Sequence, residues 1–246
     1  MVAVVGDKDA GTGWGAVLRE MFVGARAATL RFPVTTLFLL AAAVQANLIA
    51  ADINLLPENE GGSDLNFPLV MGLAAGAMAS LAATLNGEAR GHSLLARMLA
   101  AFAAGVPACI VITVSEPFLT VEWTLMLALA GFIPVAPFTG RGSSASFWMF
   151  AARTAFALLL GVLALLLFAG GISAILASLT YLFDIDVSGQ LYEHVWFGTA
   201  LFAAPLFGLG QLPERFDERP GGLTNGFMDQ GMRALGDFVA APLLIL

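Results

Sequence analysis

The fold of this chain is decided by the segment RFPVTTLFLLAAAVQANLIAAD, residues 31–52. Between its basic first residue and its acidic last residue there is no charge. The uncharged stretch has the length of about 20 residues that an α-helix needs to cross roughly 30 Å of hydrocarbon. The segment therefore predicts a transmembrane helix that begins at Pro33, where a missing N–H group costs nothing.

Further segments of this kind follow along the chain, and the composition agrees with them. Apolar residues make up 59% of the sequence and charged residues 12%, against roughly 45–50% and about 25% in soluble domains. The sequence thus predicts an all-α, polytopic transmembrane helical bundle. Its six spans are expected at residues 33–51, 67–85, 98–114, 118–135, 151–169 and 195–212.

The eleven Lys and Arg residues orient these spans. All of them fall before the first span, in alternate gaps, or just inside the fifth span, while the intervening gaps are acidic. Cytoplasmic loops collect Lys and Arg. This predicts a cytoplasmic N-terminus in a multi-pass protein of the bacterial inner membrane, with acidic loops exported. Trp123, Trp148 and Trp196 fall near span ends, as an aromatic belt requires.

Four regions follow from this threading. Residues 1–32 predict a cytoplasmic region whose apolar helical stripe lies in the inner interface or packs on cytoplasmic loops. Residues 33–213 are the six-span domain, 214–237 a cytoplasmic loop, and 238–246 the start of a truncated seventh apolar segment or a short re-entrant end. The first span is interpreted as an uncleaved anchor, because its basic leader is long for a signal peptide.

The fifth span allows two interpretations. No charged residue occurs from Thr154 to Phe183, which is about 45 Å of helix. We expect one span, a break at Gly170-Gly171, and a short interfacial helix over residues 172–183. The alternative is a single overlong helix that tilts to fit the bilayer.

Catalytic and cofactor-binding patterns are absent from the sequence. His92 and His194 belong to gaps on opposite sides of the membrane, and no hydrolase, metalloprotease or nucleotide-binding motif occurs. The basic residues form no cluster typical of nucleic-acid binding. We therefore expect a protein that is not an enzyme, that has no cofactor, and that binds no nucleic acid.

One acidic turn partly matches a calcium-binding loop. Asp184, Asp186 and Ser188 occupy the first, third and fifth positions and Gly189 the sixth. Val195 replaces the bidentate glutamate that such a loop needs at its twelfth position. An acidic turn between two helices is the alternative interpretation, and we expect no metal site.

Two sets of residues stand out inside the predicted spans. Gln45 and Asn47 are the deepest polar residues, and they either form hydrogen bonds to a neighbouring helix or line a polar cavity. In the second span a stripe of small residues recurs every four positions, at Gly72, Gly76, Ser80 and Thr84. Such a stripe predicts close helix packing near the centre of the bundle.

Several short stretches resemble an uncharacterised family of bacterial multi-spanning membrane proteins, the domain of unknown function 4153. They are Arg31-Phe32-Pro33, Tyr181-Leu182-Phe183-Asp184, Leu191-Tyr192, Ala204-Pro205-Leu206 and Leu212-Pro213. Residues 235–246 resemble the start of that family's next span. The resemblance implies a helical membrane domain that continues beyond this sequence, and it supplies no catalytic residues.

The sequence favours a non-enzymatic membrane module that scaffolds, senses or assembles. Its expected partners are the lipid bilayer and other membrane proteins, or a second copy of the chain. The alternative is a permease or channel-like transporter that uses Gln45 and Asn47. A polar cavity that reaches both amides would favour transport, and a solidly packed bundle with an exposed apolar face would favour assembly.

Overall fold

A computed structural model describes residues 24–56, 65–115, 117–140 and 142–216 of the chain. These residues form helices and connecting turns, without a β-strand among them. Residues 24–31 are helical. The further α-helices are α1 (Pro33–Ala50), α2 (Asn66–Ala89), α3 (Leu94–Val114), α4 (Pro117–Ala130), α5 (Ser144–Leu165), α6 (Gly171–Phe183), α7 (Gly189–Gly198) and α8 (Ala204–Gly210).

Four helices in the described part of the chain are long and apolar enough to cross a membrane. They are α1, α2, α3 and a continuous helix from Ser144 to Phe183 that contains α5 and α6. The predicted fourth span falls on α4, which has 14 residues and gives way to a 3₁₀ turn, Ile133–Val135, around Pro134. The predicted sixth span falls on α7 and α8, which a π-helical turn joins, Thr199–Ala203.

Among the described elements, α2 packs most extensively, against α3 and against α1. Phe38 of α1 places its ring between Gly76 of α2 and Gly105 of α3. A Cβ atom would lie 2.8 Å from that ring at Gly76 and 2.5 Å from it at Gly105. Glycine at both positions therefore lets three backbones approach closely, which drives helix association in a lipid environment.

The chain bends where it enters α1. Phe32 has φ −123° and ψ 57°, outside the helical region, because the ring of Pro33 crowds the residue before it. Hydrogen bonds nevertheless continue across the bend, from the Phe32 amide to Ala28 O and from the Thr36 amide to Phe32 O. The Phe32 side chain is fully buried, so the bend anchors residues 24–31 against the bundle.

The break expected at Gly170-Gly171 is wrong. Both glycines have helical dihedral angles, with φ −65° and −63°, and a π-helical turn, Leu166–Gly170, carries α5 into α6. Glycine loses its tendency to unwind a helix where no water competes for the backbone groups. The overlong helix is therefore the correct alternative, and its 40 residues extend for about 60 Å.

Helix α8 packs antiparallel against α5 through a second set of small residues. A Cβ atom at Gly208 would lie 3.4 Å from Ala157 O, and one at Gly161 would lie 3.4 Å from Ala204 O. Small residues four positions apart on both helices thus face one another. The contact is looser than the one around Phe38, because each glycine has room for a methyl group.

Several predicted regions lie outside the described residues. They are most of the region 1–32, most of the loop 214–237, and the segment 238–246. The middle of the first acidic loop, residues 57–64, also lies outside.

Candidate functional site

Gln45, the first of the two deep amides, lies between α1 and α2 and is 2% exposed. Its Nε2 donates to Asn66 Oδ1 at 3.1 Å. Asn66 also accepts from the Leu56 amide and donates to the Leu56 carbonyl, each at 3.1 Å. The pair therefore fastens the turn after α1 to the first residue of α2. Gln45 Oε1 has no partner among the described residues.

Asn47, two positions on, faces a different helix. Its Nδ2 donates to Ala43 O at 2.7 Å, so its Oδ1 is free to accept from His194 Nδ1 of α7 at 2.8 Å. Because an amide oxygen only accepts, His194 Nδ1 is the donor in this hydrogen bond. A second hydrogen bond, from Gln190 Nε2 to Asp52 Oδ2 at 3.2 Å, joins α7 to the turn that follows α1.

A cavity of about 380 Å³ lies beside Asn47. The rest of its wall is apolar: Leu40, Ala43, Val44, Leu48, Gly198 and Phe202. Gln45 does not line this cavity. The structure thus directs the two amides to separate neighbours, Gln45 to α2 and Asn47 to α7, and does not bring them together in one cavity.

The small-residue stripe of α2 is buried along its length. Gly72 packs on Thr113 and on Cys109 O, 2.6 Å from the position of an added Cβ atom. Further along, Ser80 Oγ lies 2.9 Å from Thr35 Oγ1, and Thr84 Oγ1 donates to Ser80 O at 2.8 Å. The stripe therefore contacts α3 at its beginning and α1 further on.

The candidate calcium loop lies exposed between α6 and α7. Asp184 ends α6 in the left-handed region, with φ 53°, and Asp186 and Ser188 follow outside the helices, Ser188 in extended backbone. Among the described residues no group of three or more His, Cys, Asp or Glu side chains is placed to hold a metal ion. The segment joins α6 to α7 and carries the carboxylates of Asp184 and Asp186.

A cluster of charged residues at the opposite end of α1 was not predicted. Arg31, just before α1, donates from Nη2 to Glu88 Oε2 at 2.9 Å. Arg97 of α3 donates from Nη1 to Glu88 Oε1 at 2.8 Å. One carboxylate of α2 thus holds two guanidinium groups from the flanking helices. The three side chains are only 11–22% exposed.

The same cluster reaches the end of α8. Arg31 Nη1 donates to Leu212 O and Arg31 Nη2 donates to Pro213 O, both at 2.8 Å. The guanidinium of Arg31 also lies 4.7 Å from the centre of the Phe32 ring. Four parts of the chain therefore meet at one ionic junction.

One sequence signal points to this cluster. Glu88 lies in the last turn of α2, where the helix dipole disfavours a negative charge. A carboxylate there needs cationic neighbours, and the only Lys or Arg residues in the same predicted gap are Arg90 and Arg97. The participation of Arg31 could not be predicted, because it is 57 positions away from Glu88 and requires the packing of α1 on α2.

Comparisons with protein-family models, with curated proteins and with solved structures find no match to this chain.

Proposed function

We propose that this chain is a multi-pass protein of the bacterial inner membrane that serves as a non-enzymatic scaffold, sensor or assembly module. The observation that carries the proposal is the helix Ser144–Phe183, whose most apolar window is only 17% buried by the rest of the described chain. Within the bilayer, lipid covers this surface. Where the helix extends beyond the bilayer, another membrane protein or a second copy of the chain must cover it.

The length of that helix supports a protein partner. Its uncharged part, residues 154–183, extends for about 45 Å, and the hydrocarbon is roughly 30 Å thick. At the average tilt of about 20° the excess is still roughly 12 Å. The last turns of α6 then reach the headgroup level with apolar side chains, and Ile175 and Leu182 are 63% and 69% exposed.

Contacts at the two ends of α1 support six crossings. Asp52, after α1, contacts Gln190 at the start of α7. Arg31, before α1, contacts Leu212 just after α8. Helix α7–α8 therefore runs the full height of α1 in the opposite direction, as a sixth span does. Leu85, near the end of α2, also lies beside Gly131 at the end of α4, which agrees with a descending fourth span.

The cluster of basic ends supports the proposed orientation. Arg31, Arg97 and the end of α8 meet at one end of the bundle, and the acidic turn after α1 meets α7 at the other. These are the two groups of gaps that differ in Lys and Arg content. Reporter fusions after Gly91, Gly142 and Gly222 should read cytoplasmic, and a fusion after Gly189 should read exported. An exported signal after Gly222 contradicts six spans.

Site-specific photocrosslinking in intact cells tests the assembly role. A photoreactive residue at position 175 or 182 in α6 should give discrete protein adducts. The matched control is position 111, because Val111 of α3 is also exposed, at 45%, but lies within a span of ordinary length. An adduct at twice the mass of the chain indicates self-association. If positions 175 and 182 give lipid adducts but no protein adducts, the proposal is contradicted.

The alternative function is that of a permease or channel-like transporter, and the cavity beside Asn47, which reaches only one of the two amides, is its sole support among the described residues. Single cysteines at positions 45 and 47, with Cys109 replaced by Ala, distinguish the two functions. Because thiol reagents attack the thiolate, labelling requires access of water. We expect both positions to resist an impermeant reagent in intact cells and in inverted vesicles. Labelling from both sides would place transport first. The resemblance to domain of unknown function 4153 stays a prediction, and neither function depends on it.

A further inference from the structure

The charged junction opens onto a pocket at the same end of the bundle. Its volume is about 650 Å³, within the range of roughly 300–1,000 Å³ that small-molecule sites occupy. Arg31, Glu88 and Arg97 line it together with His92 and Glu214. Apolar residues of the segment before α1 and of α8 form most of the rest of its wall. It is therefore a mixed cavity with charged groups on one part of its wall, unlike the apolar cavity beside Asn47.

The junction carries an excess of positive charge. Two guanidinium groups share the single carboxylate of Glu88, which leaves a net charge of one. Side-chain exposures of 11–22% mean that water solvates this charge incompletely, so an additional anion stabilises it. Glu214 also lines the pocket and brings the formal charge of the whole lining to zero, but it is exposed and forms no ion pair with either arginine.

The two arginines differ in the donors that remain. Arg31 donates from all three of its nitrogens, to Glu88, Leu212 O and Pro213 O. Arg97 donates only from Nη1, and its buried Nε has no partner among the described residues. The buried Nε cannot reach an anion in the pocket, whereas Nη2 of Arg97 donates to no described residue and is not among the fully buried atoms. Arg97 Nη2 is therefore the donor with capacity for a ligand.

The backbone around Arg97 holds that side chain in place. Gly87 leaves room for its stem, since an added Cβ atom at Gly87 would lie 2.8 Å from Arg97 Cγ. The hydrogen bond to Glu88 fixes the guanidinium at the other end. Its orientation is thus largely established before any ligand arrives, which lowers the entropy lost on binding.

We propose that this pocket binds a phosphate-bearing anion, with Arg97 as the main ligand-binding residue and Arg31 and Glu88 as positioning residues. A planar guanidinium matches two phosphate oxygens and is the side chain that proteins favour for that purpose. The anion has two sources, the headgroup of an anionic phospholipid or a soluble phosphate compound. A basic pocket between helix ends is typical of headgroup binding.

The test uses the full chain in nanodiscs. Inorganic phosphate is titrated by calorimetry in discs of neutral phosphatidylcholine, and retention of phosphatidylglycerol is measured by native mass spectrometry in mixed discs. We expect saturable binding of at least one probe. Binding of phosphate alone identifies a soluble ligand, and retention of phosphatidylglycerol alone identifies a lipid headgroup. Saturable binding of neither probe would overturn the proposal.

Three charge-neutralising variants locate the site. Arg97→Gln should lower the affinity about tenfold, as loss of a charged hydrogen bond does. Arg90→Gln is the matched control, since Arg90 is exposed on the same turn but does not line the pocket, and its affinity should change less than about twofold. Equal losses in the two variants would mean general surface attraction and would overturn the proposal.

The third variant decides the outcome even if Arg97→Gln does not fold. Glu214 is exposed, so Glu214→Gln should leave the fold intact while it removes a negative charge from the pocket wall. The affinity for the anion should rise about threefold, as expected for a partly screened charge. An unchanged or lower affinity in folded Glu214→Gln would contradict an anion site in this pocket.

Discussion

Helices α1 and α2 and the long helix α5–α6 bury very different shares of their surface. The most apolar 18-residue stretches of α1 and α2 are both 56% buried, whereas that of the helix Ser144–Phe183 is 17% buried although it is more apolar. The more apolar helix is thus the more exposed one. Lipid tails are as apolar as leucine, so hydrophobicity does not select between lipid and protein. Small residues and polar pairs make that selection.

The devices that hold helices together are concentrated around α1 and α2. They include the Phe38 ring between two glycines, the Thr35–Ser80 hydrogen bond, the Gln45–Asn66 pair and the junction at Glu88. In α6 the recorded side-chain hydrogen bonds, from Ser178 and Thr180, return to its own backbone. The contacts around α1 and α2, the first region, therefore stabilise the fold, whereas the helix α5–α6, the second region, leaves apolar surface exposed.

The largest predicted effect breaks the charged junction of the first region. Glu88→Gln leaves two part-buried guanidinium groups without a countercharge. We expect a loss of about 3 kcal/mol in unfolding free energy, the lower end of the range for a broken buried pair, since the side chains keep some contact with water. Glu193→Gln on exposed α7 makes the same chemical change and should stay within about 0.5 kcal/mol of the unmodified protein. Thermal unfolding in detergent measures both, and equal midpoints would contradict the stabilising role of the junction.

The next prediction compares glycines of the two regions. Gly76→Leu forces a branched side chain against the Phe38 ring and Gly105 O, and we expect a loss of about 2–3 kcal/mol from overpacking. At Gly170, in the π-helical turn, an added Cβ atom meets nothing within 4 Å. Gly170→Leu should therefore unfold at the same temperature as the unmodified chain. A similar loss in both variants would mean that the two regions do not differ in packing.

Much of the first region could be predicted from its sequence. The stripe Gly72–Gly76–Ser80–Thr84 is visible because its spacing matches one helix face. The contact of Ala157 and Gly161 with Ala204 and Gly208 has the same four-residue spacing, but it was missed, because small residues are common throughout the chain. Spacing on one helix does not identify the partner helix, and so the pairing of α5 with α8 required the structure.

The course of the long helix could not be predicted for a different reason. A Gly-Gly pair breaks helices in water because the freed backbone groups find solvent partners. Within an uncharged run of this length that alternative is absent, and residues 166–170 keep their backbone hydrogen bonds in a wider π-helical turn instead. Whether the Gly-Gly pair breaks the helix depends on its local environment, which the helix preferences of single residues do not describe.

A smaller substitution sharpens the comparison. Gly105→Ala places a methyl group 2.5 Å from the Phe38 ring, whereas Gly208→Ala places one at an ordinary 3.4 Å from Ala157 O. We expect about 1–2 kcal/mol of destabilisation in the first variant and a change within about 0.5 kcal/mol in the second. Urea or detergent unfolding of the two variants measures the difference. A larger loss in Gly208→Ala would show that the α5–α8 contact is the tighter one.

The smallest predicted effect concerns the hydrogen bond that joins α1 to α7. Asn47 lies on α1 of the first region and contacts His194 on α7, a helix that belongs neither to α1–α2 nor to α5–α6. Hydrogen bonds between membrane helices contribute about 0.6 kcal/mol on average in double-mutant cycles, because the unfolded reference state also finds partners. We expect a coupling of that size between Asn47→Leu and His194→Phe. The control inside the first region is the cycle of Gln45→Leu with Asn66→Leu. Asn66 is 1% exposed and also accepts a hydrogen bond from the Leu56 amide, so this cycle should give a larger coupling. A stronger coupling at Asn47 than at Gln45 would mean that α7 is held to α1 as firmly as α2 is. Helix α7 would then belong to the packed region.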